Sequence, residues 1–111
     1  MSDVLPTRFS AVQLQRIIEE AIVYMCACPA QVAQQIQSLR GLYAYQSQCV
    51  SRGITFGEVH QRIAASTAHA HAEMECCLAG ILELEGWDLE TLTMPEGLRR
   101  LQVRTIEEDS E

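Results

Sequence analysis

Four cysteines in two close pairs are the residues best placed to do chemistry. Cys26 and Cys28 stand one residue apart in Met25-Cys26-Ala27-Cys28-Pro29, and Cys76 and Cys77 are adjacent in Glu75-Cys76-Cys77-Leu78. Thiolates bind metals, attack electrophiles and form disulfides, while protonated cysteines pack as small apolar residues. Which of these applies depends on the elements that carry the two pairs.

Those elements read as helices. Ser10 and Gln13 form a capping box, and Phe9 before it can staple onto Leu14. Leu14, Ile17, Ile18, Ala21, Ile22 and Met25 then recur at helical spacing, predicting a first helix over 11–27. Pro29 suits the first residue of a second helix, over 30–51, with Cys28 as its cap residue. Its stripe is Val32, Ile36, Leu39, Tyr43, Gln46 and Val50, and Gly53 suits a left-handed cap. Thr55 and Glu58 form a second capping box, opening a third helix over 56–85. Its seam reads Ile63, Thr67, Ala70, Met74, Cys77, Ile81 and Leu84, and Gly86 closes it.

Asp88 can cap a turn through Leu92, Trp87 can anchor the corner, and Thr93 with Glu96 predicts a short C-terminal helix over 94–105. The expected architecture is an all-α, up-down bundle of three main helices plus that short one. Residues 1–9 are expected to be a flexible N-terminus, 10–105 one helical domain, and 106–111 a disordered acidic tail.

A turn near Gly53 would set the second and third helices antiparallel. Pro29 and Cys77 each lie 24 residues from Gly53, a climb of about 36 Å along either helix. The two cysteine pairs would then sit level at one end, with Cys49 at the other. Several readings stay open. The thiols can fill a helix junction, with Cys77 on the seam. Cys26, Cys28, Cys76 and Cys77 can supply thiolates to zinc or iron, with His69 and Glu73 as further candidate ligands one or two turns away. Cys28 at a helix mouth can also act as a redox thiol, with Cys26 or Cys76 resolving it. His71, beside the seam, reads as a structural histidine.

The second helix has a different peculiarity. Between Glu20 and Arg52 the only charged residue is Arg40, and the helix is polar through glutamines instead. A solvated face normally carries charges, so Gln34, Gln35, Gln37 and Tyr43 are candidates for a covered surface in a homodimer or with another protein.

Composition narrows the function classes. The chain has 111 residues and a formal charge of −7, with arginine as its only basic residue besides histidine. Such an acidic chain repels phosphate backbones and anionic lipid, which argues against nucleic acid and membrane as partners. No signal-peptide pattern opens the sequence, so a cytoplasmic location with reduced thiols is expected. There is no Gly-rich phosphate loop, no nucleophile elbow and no paired Glu-x-x-His signature. The expectation is a non-enzymatic protein without a cofactor that acts through protein–protein contact. The alternative is a metal-binding or thiol-redox sensing module.

Overall fold

The computed structural model describes residues 4–23, 27–52 and 57–95. Among these residues the fold is all-α, with three helices and no strand. Helix α1 spans Ala11–Val23, α2 spans Ala27–Ser51 and α3 spans Gly57–Glu85. The second and third are long, about 37 and 43 Å at 1.5 Å per residue. Helix α2 packs against both α1 and α3.

The local signals at the start of α1 and the end of α3 operate as read. Ser10 N–H donates to Gln13 Oε1 at 2.8 Å and Gln13 N–H donates to Ser10 Oγ at 3.0 Å, the reciprocal pair of a capping box. Phe9 and Leu14 are both in the core. At the far end of α3, Gly86 takes a left-handed φ of 75°. Its N–H donates to the Glu83 carbonyl and that of Trp87 to the Leu82 carbonyl, each at 3.0 Å, which is a Schellman cap.

One boundary differs from the sequence reading. The described part of α1 is Ala11–Val23, with 24–26 outside the described residues, and α2 is already helical at Ala27, so Cys28 lies within the helix instead of capping it. Pro29 then occupies the third helical position. The first N–H groups of a helix have no intrahelical acceptor, so the proline removes nothing there. Its ring is fully buried. The second capping box and the Gly53 cap involve residues outside the described ones, as do 96–111. The expected helix over 94–105 is therefore largely outside them, and its first two residues, Met94 and Pro95, are not helical.

The core is aliphatic. Leu14, Ile17, Ile18 and Ala21 of α1 meet Ala30, Ala33 and Ile36 from the first half of α2 and Leu78 and Leu82 from the second half of α3. Trp87, Leu92 and Met94 close it from the segment after α3, so Trp87 does anchor that corner. Full burial of each large aliphatic side chain contributes about 1.5–3 kcal/mol. That closing segment is held by Asp88, whose N–H donates to the Thr93 carbonyl. Its Oδ1 accepts from Glu90 N and Thr91 N. The amides of Thr91 and Glu90 hold the Asp88 carboxyl below its usual range.

The face that α3 buries is centred about one residue beyond the expected one. Thr67, His71, Glu75, Leu78 and Leu82 are buried, whereas Ala70, Cys77 and Leu84 are exposed, Leu84 at 88%. Thr67 belongs to both stripes, and Met74 and Ile81 of the expected one are partly buried and pack against the core at its edge. The apolar-looking stripe lost to one containing a histidine and a glutamate because a partner for both lies on α2.

Candidate functional site

That partner is Arg40, the single charged residue of α2. It sits on the inward side, one position beyond the Ile36 and Leu39 steps of the packing stripe, and its guanidinium reaches into the α2–α3 interface. Arg40 Nε donates to His71 Nε2 at 3.0 Å. Arg40 Nη2 donates to the Phe9 carbonyl at 2.6 Å and to Glu75 Oε2 at 3.1 Å. The same Glu75 oxygen accepts the N–H groups of Arg8 at 2.7 Å and Phe9 at 3.0 Å. One carboxylate and one guanidinium therefore clasp the backbone of the lead that runs into α1.

The protonation of His71 follows from this geometry. An arginine Nε always carries its hydrogen, so His71 Nε2 must be the acceptor and the ring is neutral with its proton on Nδ1. Nδ1 faces Glu75 Oε1 at 3.6 Å, too far for a good hydrogen bond. The ring is 1% exposed. Burial pulls its pKa below the usual 6.5; Glu75 opposes that pull and Arg40 adds to it.

Two smaller polar links complete the frame. Buried Glu20 on α1 accepts from Arg16 Nη2 at 2.8 Å and from Met94 N–H at 3.2 Å, fastening the segment after α3 as Glu75 fastens the one before α1. Further along the α2–α3 interface, His60 Nδ1 lies 2.7 Å from Oε1 of buried Gln46. Among the described residues, every buried side-chain nitrogen or oxygen has a partner. Sequence periodicity could not reveal the Arg40 cluster, whose members lie 31 and 35 positions apart. The one available signal was Arg40 itself, an isolated charge in a helix otherwise without one.

The cysteines fall differently from the junction-filling reading. Cys28, Cys76 and Cys77 are exposed, and Cys49 is the buried one. Cys77 leaves the interface because adjacent helical positions point about 100° apart, and the next residue, Leu78, takes the core place. Cys76 borders a groove with Arg8, Phe9, Gln13 and Glu83. Cys26 lies outside the described residues. Among those described, no three His, Cys, Asp or Glu side chains stand together as a metal site. His69 and Glu73 are both exposed on α3.

Gln34, Gln35 and Gln37 are exposed, whereas Tyr43 is half-buried on the inner stripe. Tyr45, 62% exposed, presents the aromatic ring on the outer side. Its position, seven and eight residues after Ser38 and Gln37, was the signal for it. Gln31, Gln34 and Gln35 also rim a groove floored by Val32 and Met74. Because Arg40 is drawn inward, the outer face of α2 from Gln31 to Gln48 carries no charge. No described helix is long and apolar enough to cross a membrane. Comparison of the chain with protein-family models, with curated proteins and with solved structures finds no match in any of the three.

Proposed function

We propose that this protein is a non-enzymatic, cytoplasmic helical bundle of up-down arrangement that works through protein–protein contact, pairing with a second copy through the outer face of α2. One observation carries this reading: in a chain of net charge −7, the outer face of α2, exposed from Gln31 to Gln48 among the described residues, carries no charge because the helix's only charged side chain is turned inward. Gln34, Gln37, Gly41, Ala44 and Gln48 are all exposed and alternate steps of three and four, a second seam opposite the inner one.

This face suits a copy of itself. Each glutamine amide both donates and accepts, so a glutamine surface is self-complementary across a two-fold axis, whereas two acidic surfaces repel. An antiparallel pairing centred on Gly41 sets Gln34 against the partner's Gln48 and Ser38 against the partner's Ala44. Small residues at the crossing, Ser38, Gly41 and Ala44, let the two backbones approach. Leu42 and Tyr45, 42% and 62% exposed, flank the axis and supply apolar area.

Sedimentation velocity across a concentration series tests the proposal. The wild-type chain should dimerise, and Gln34→Glu with Gln37→Glu should shift it to monomer by placing four like charges at the shared face. A wild type that stays monomeric at the highest concentration, or a dimer indifferent to the double change, defeats the proposal.

The exposure of Cys28, Cys76 and Cys77 favours a second reading, a metal-binding or thiol-redox module, since reactants reach all three. It predicts bound zinc or iron that is lost in Cys28→Ser, or thiols that react unusually fast at neutral pH. Metal-free protein with ordinary thiol rates removes it.

A further inference from the structure

The residues before α1 form a strap along α3. Leu5 and Pro6 share a groove with Ala65, Ala68, His69 and Ala72 of α3. A few residues on, Arg8 and Phe9 are fastened by backbone bonds to Glu75 and Arg40. The strap thus ends at the buried polar cluster, and its grip depends on how the Arg40 guanidinium is oriented.

That orientation is set by the neutral His71 ring. A guanidinium is a rigid plane, so Nε and Nη2 move together. While His71 Nε2 accepts from Nε, Nη2 is aimed at the Phe9 carbonyl, 2.6 Å away. A proton on Nε2 would replace that acceptor with a donor and bring two N–H groups head-on. The guanidinium must then turn, and Nη2 leaves the Phe9 carbonyl as it does so. The imidazolium would also draw Glu75 toward Nδ1, away from the Arg8 and Phe9 amides that its other oxygen holds. The charged groups acting on the ring are Glu75 from its own helix and Arg40 from α2, and both bond the strap through its Arg8 and Phe9 backbone.

We propose that protonation of His71 loosens the strap of residues 4–9 from α3, making the lead of this protein an acid-sensitive latch. This does not rest on the dimer proposed above. Burial already disfavours the charged ring, so the latch stays closed at neutral pH and opens in acid.

Residue-resolved amide exchange on the full-length chain tests this, with rates corrected for the intrinsic effect of pH. Protection of the Arg8 and Phe9 amides should fall at least tenfold between about pH 7.5 and pH 5, while Leu14 and Leu82 stay protected. The loss should follow the His71 ring titration observed by NMR in the same sample. In His71→Gln the amide oxygen can still accept from Arg40 Nε but does not titrate, so strap protection should persist in acid. The latch is overturned if wild-type protection survives protonation of the ring, or if strap and core amides open together. Equal loss in His71→Gln, or strap opening at a pH that does not match the ring titration, overturns it as well. The ring titration decides the matter in the wild type even where the variant folds poorly.

Discussion

Arg40 Nη2 and Glu75 Oε2 meet at 3.1 Å across the α2–α3 interface, and the same two groups hold both sides of the Phe9 backbone. A buried ion pair contributes little net stability against an apolar substitute, because desolvating two charges is expensive. Removing one partner is different, since the other charge is left buried. Arg40→Ala leaves Glu75 unpaired, and Glu75→Ala additionally strips the acceptor from Arg8 and Phe9 N–H. Each should lose about 3–5 kcal/mol in urea unfolding. A double variant with both removed should lose less than the sum, and strict additivity would show that the pair does not couple.

His71 gives the stability of the protein a defined pH dependence. Its folded pKa is below 6.5, so between the two values the unfolded chain holds a proton that the folded chain does not. Stability therefore rises with pH through that window. It should fall as pH drops from 6.5 toward the folded value and then level off. Urea midpoints measured from about pH 7.5 downward should show this slope, and His71→Gln should flatten it. An unchanged slope in the variant would place the acid sensitivity elsewhere.

The parts of the fold legible in the sequence are those fixed by neighbours in the chain. Ser10 and Gln13, three residues apart, announce α1, and Gly86 announces the end of α3 because its left-handed φ favours glycine. The inner stripe of α2 is legible too, since Ile36, Gln46 and their neighbours repeat at regular steps. The buried face of α3 was legible only in part, through Thr67, Met74 and Ile81, because His71 and Glu75 are core residues only through Arg40, more than thirty positions away. Rotating that helix by one residue exchanged Cys77 for Leu78 in the core and carried the expected cysteine junction to the surface.

Gly41 separates folding from pairing. A Cβ added there meets nothing within 4 Å, so a side chain fits the monomer. Gly41→Leu should stabilise the isolated chain by about 0.5–1 kcal/mol through helix propensity. At an α2–α2 crossing the same side chain would hold the backbones apart. Dimerisation should therefore weaken at least tenfold while the thermal midpoint of the monomer rises. If pairing is unaffected, Gly41 is not at the crossing.

Glu20 should govern the segment after α3. Its carboxylate is buried and accepts the Met94 N–H, which puts Trp87 and Leu92 under the same anchor. Glu20→Ala leaves that amide without its acceptor and should cost about 1–3 kcal/mol. Trp87 is the only tryptophan, so its emission reports on this corner directly. A red shift in the variant before global unfolding is expected. Unchanged emission at full stability would mean that the apolar contacts of Trp87 and Met94 hold the segment unaided.

Thiol labelling separates the cysteines by their environment. Cys28, Cys76 and Cys77 are exposed and should react in native protein at the ordinary rate of a free thiol in a peptide. Cys49 is 7% exposed on α2 and should label only as its surroundings open. Peptide mapping after timed quenching assigns each rate. Because Cys49 lies on the same helix as Gln46, which bonds His60 at 2.7 Å, weakening that link with His60→Ala should speed Cys49 labelling and leave Cys76 unchanged. Equal acceleration at both sites would indicate global opening of the protein, and no change at Cys49 would show that apolar packing alone shields it.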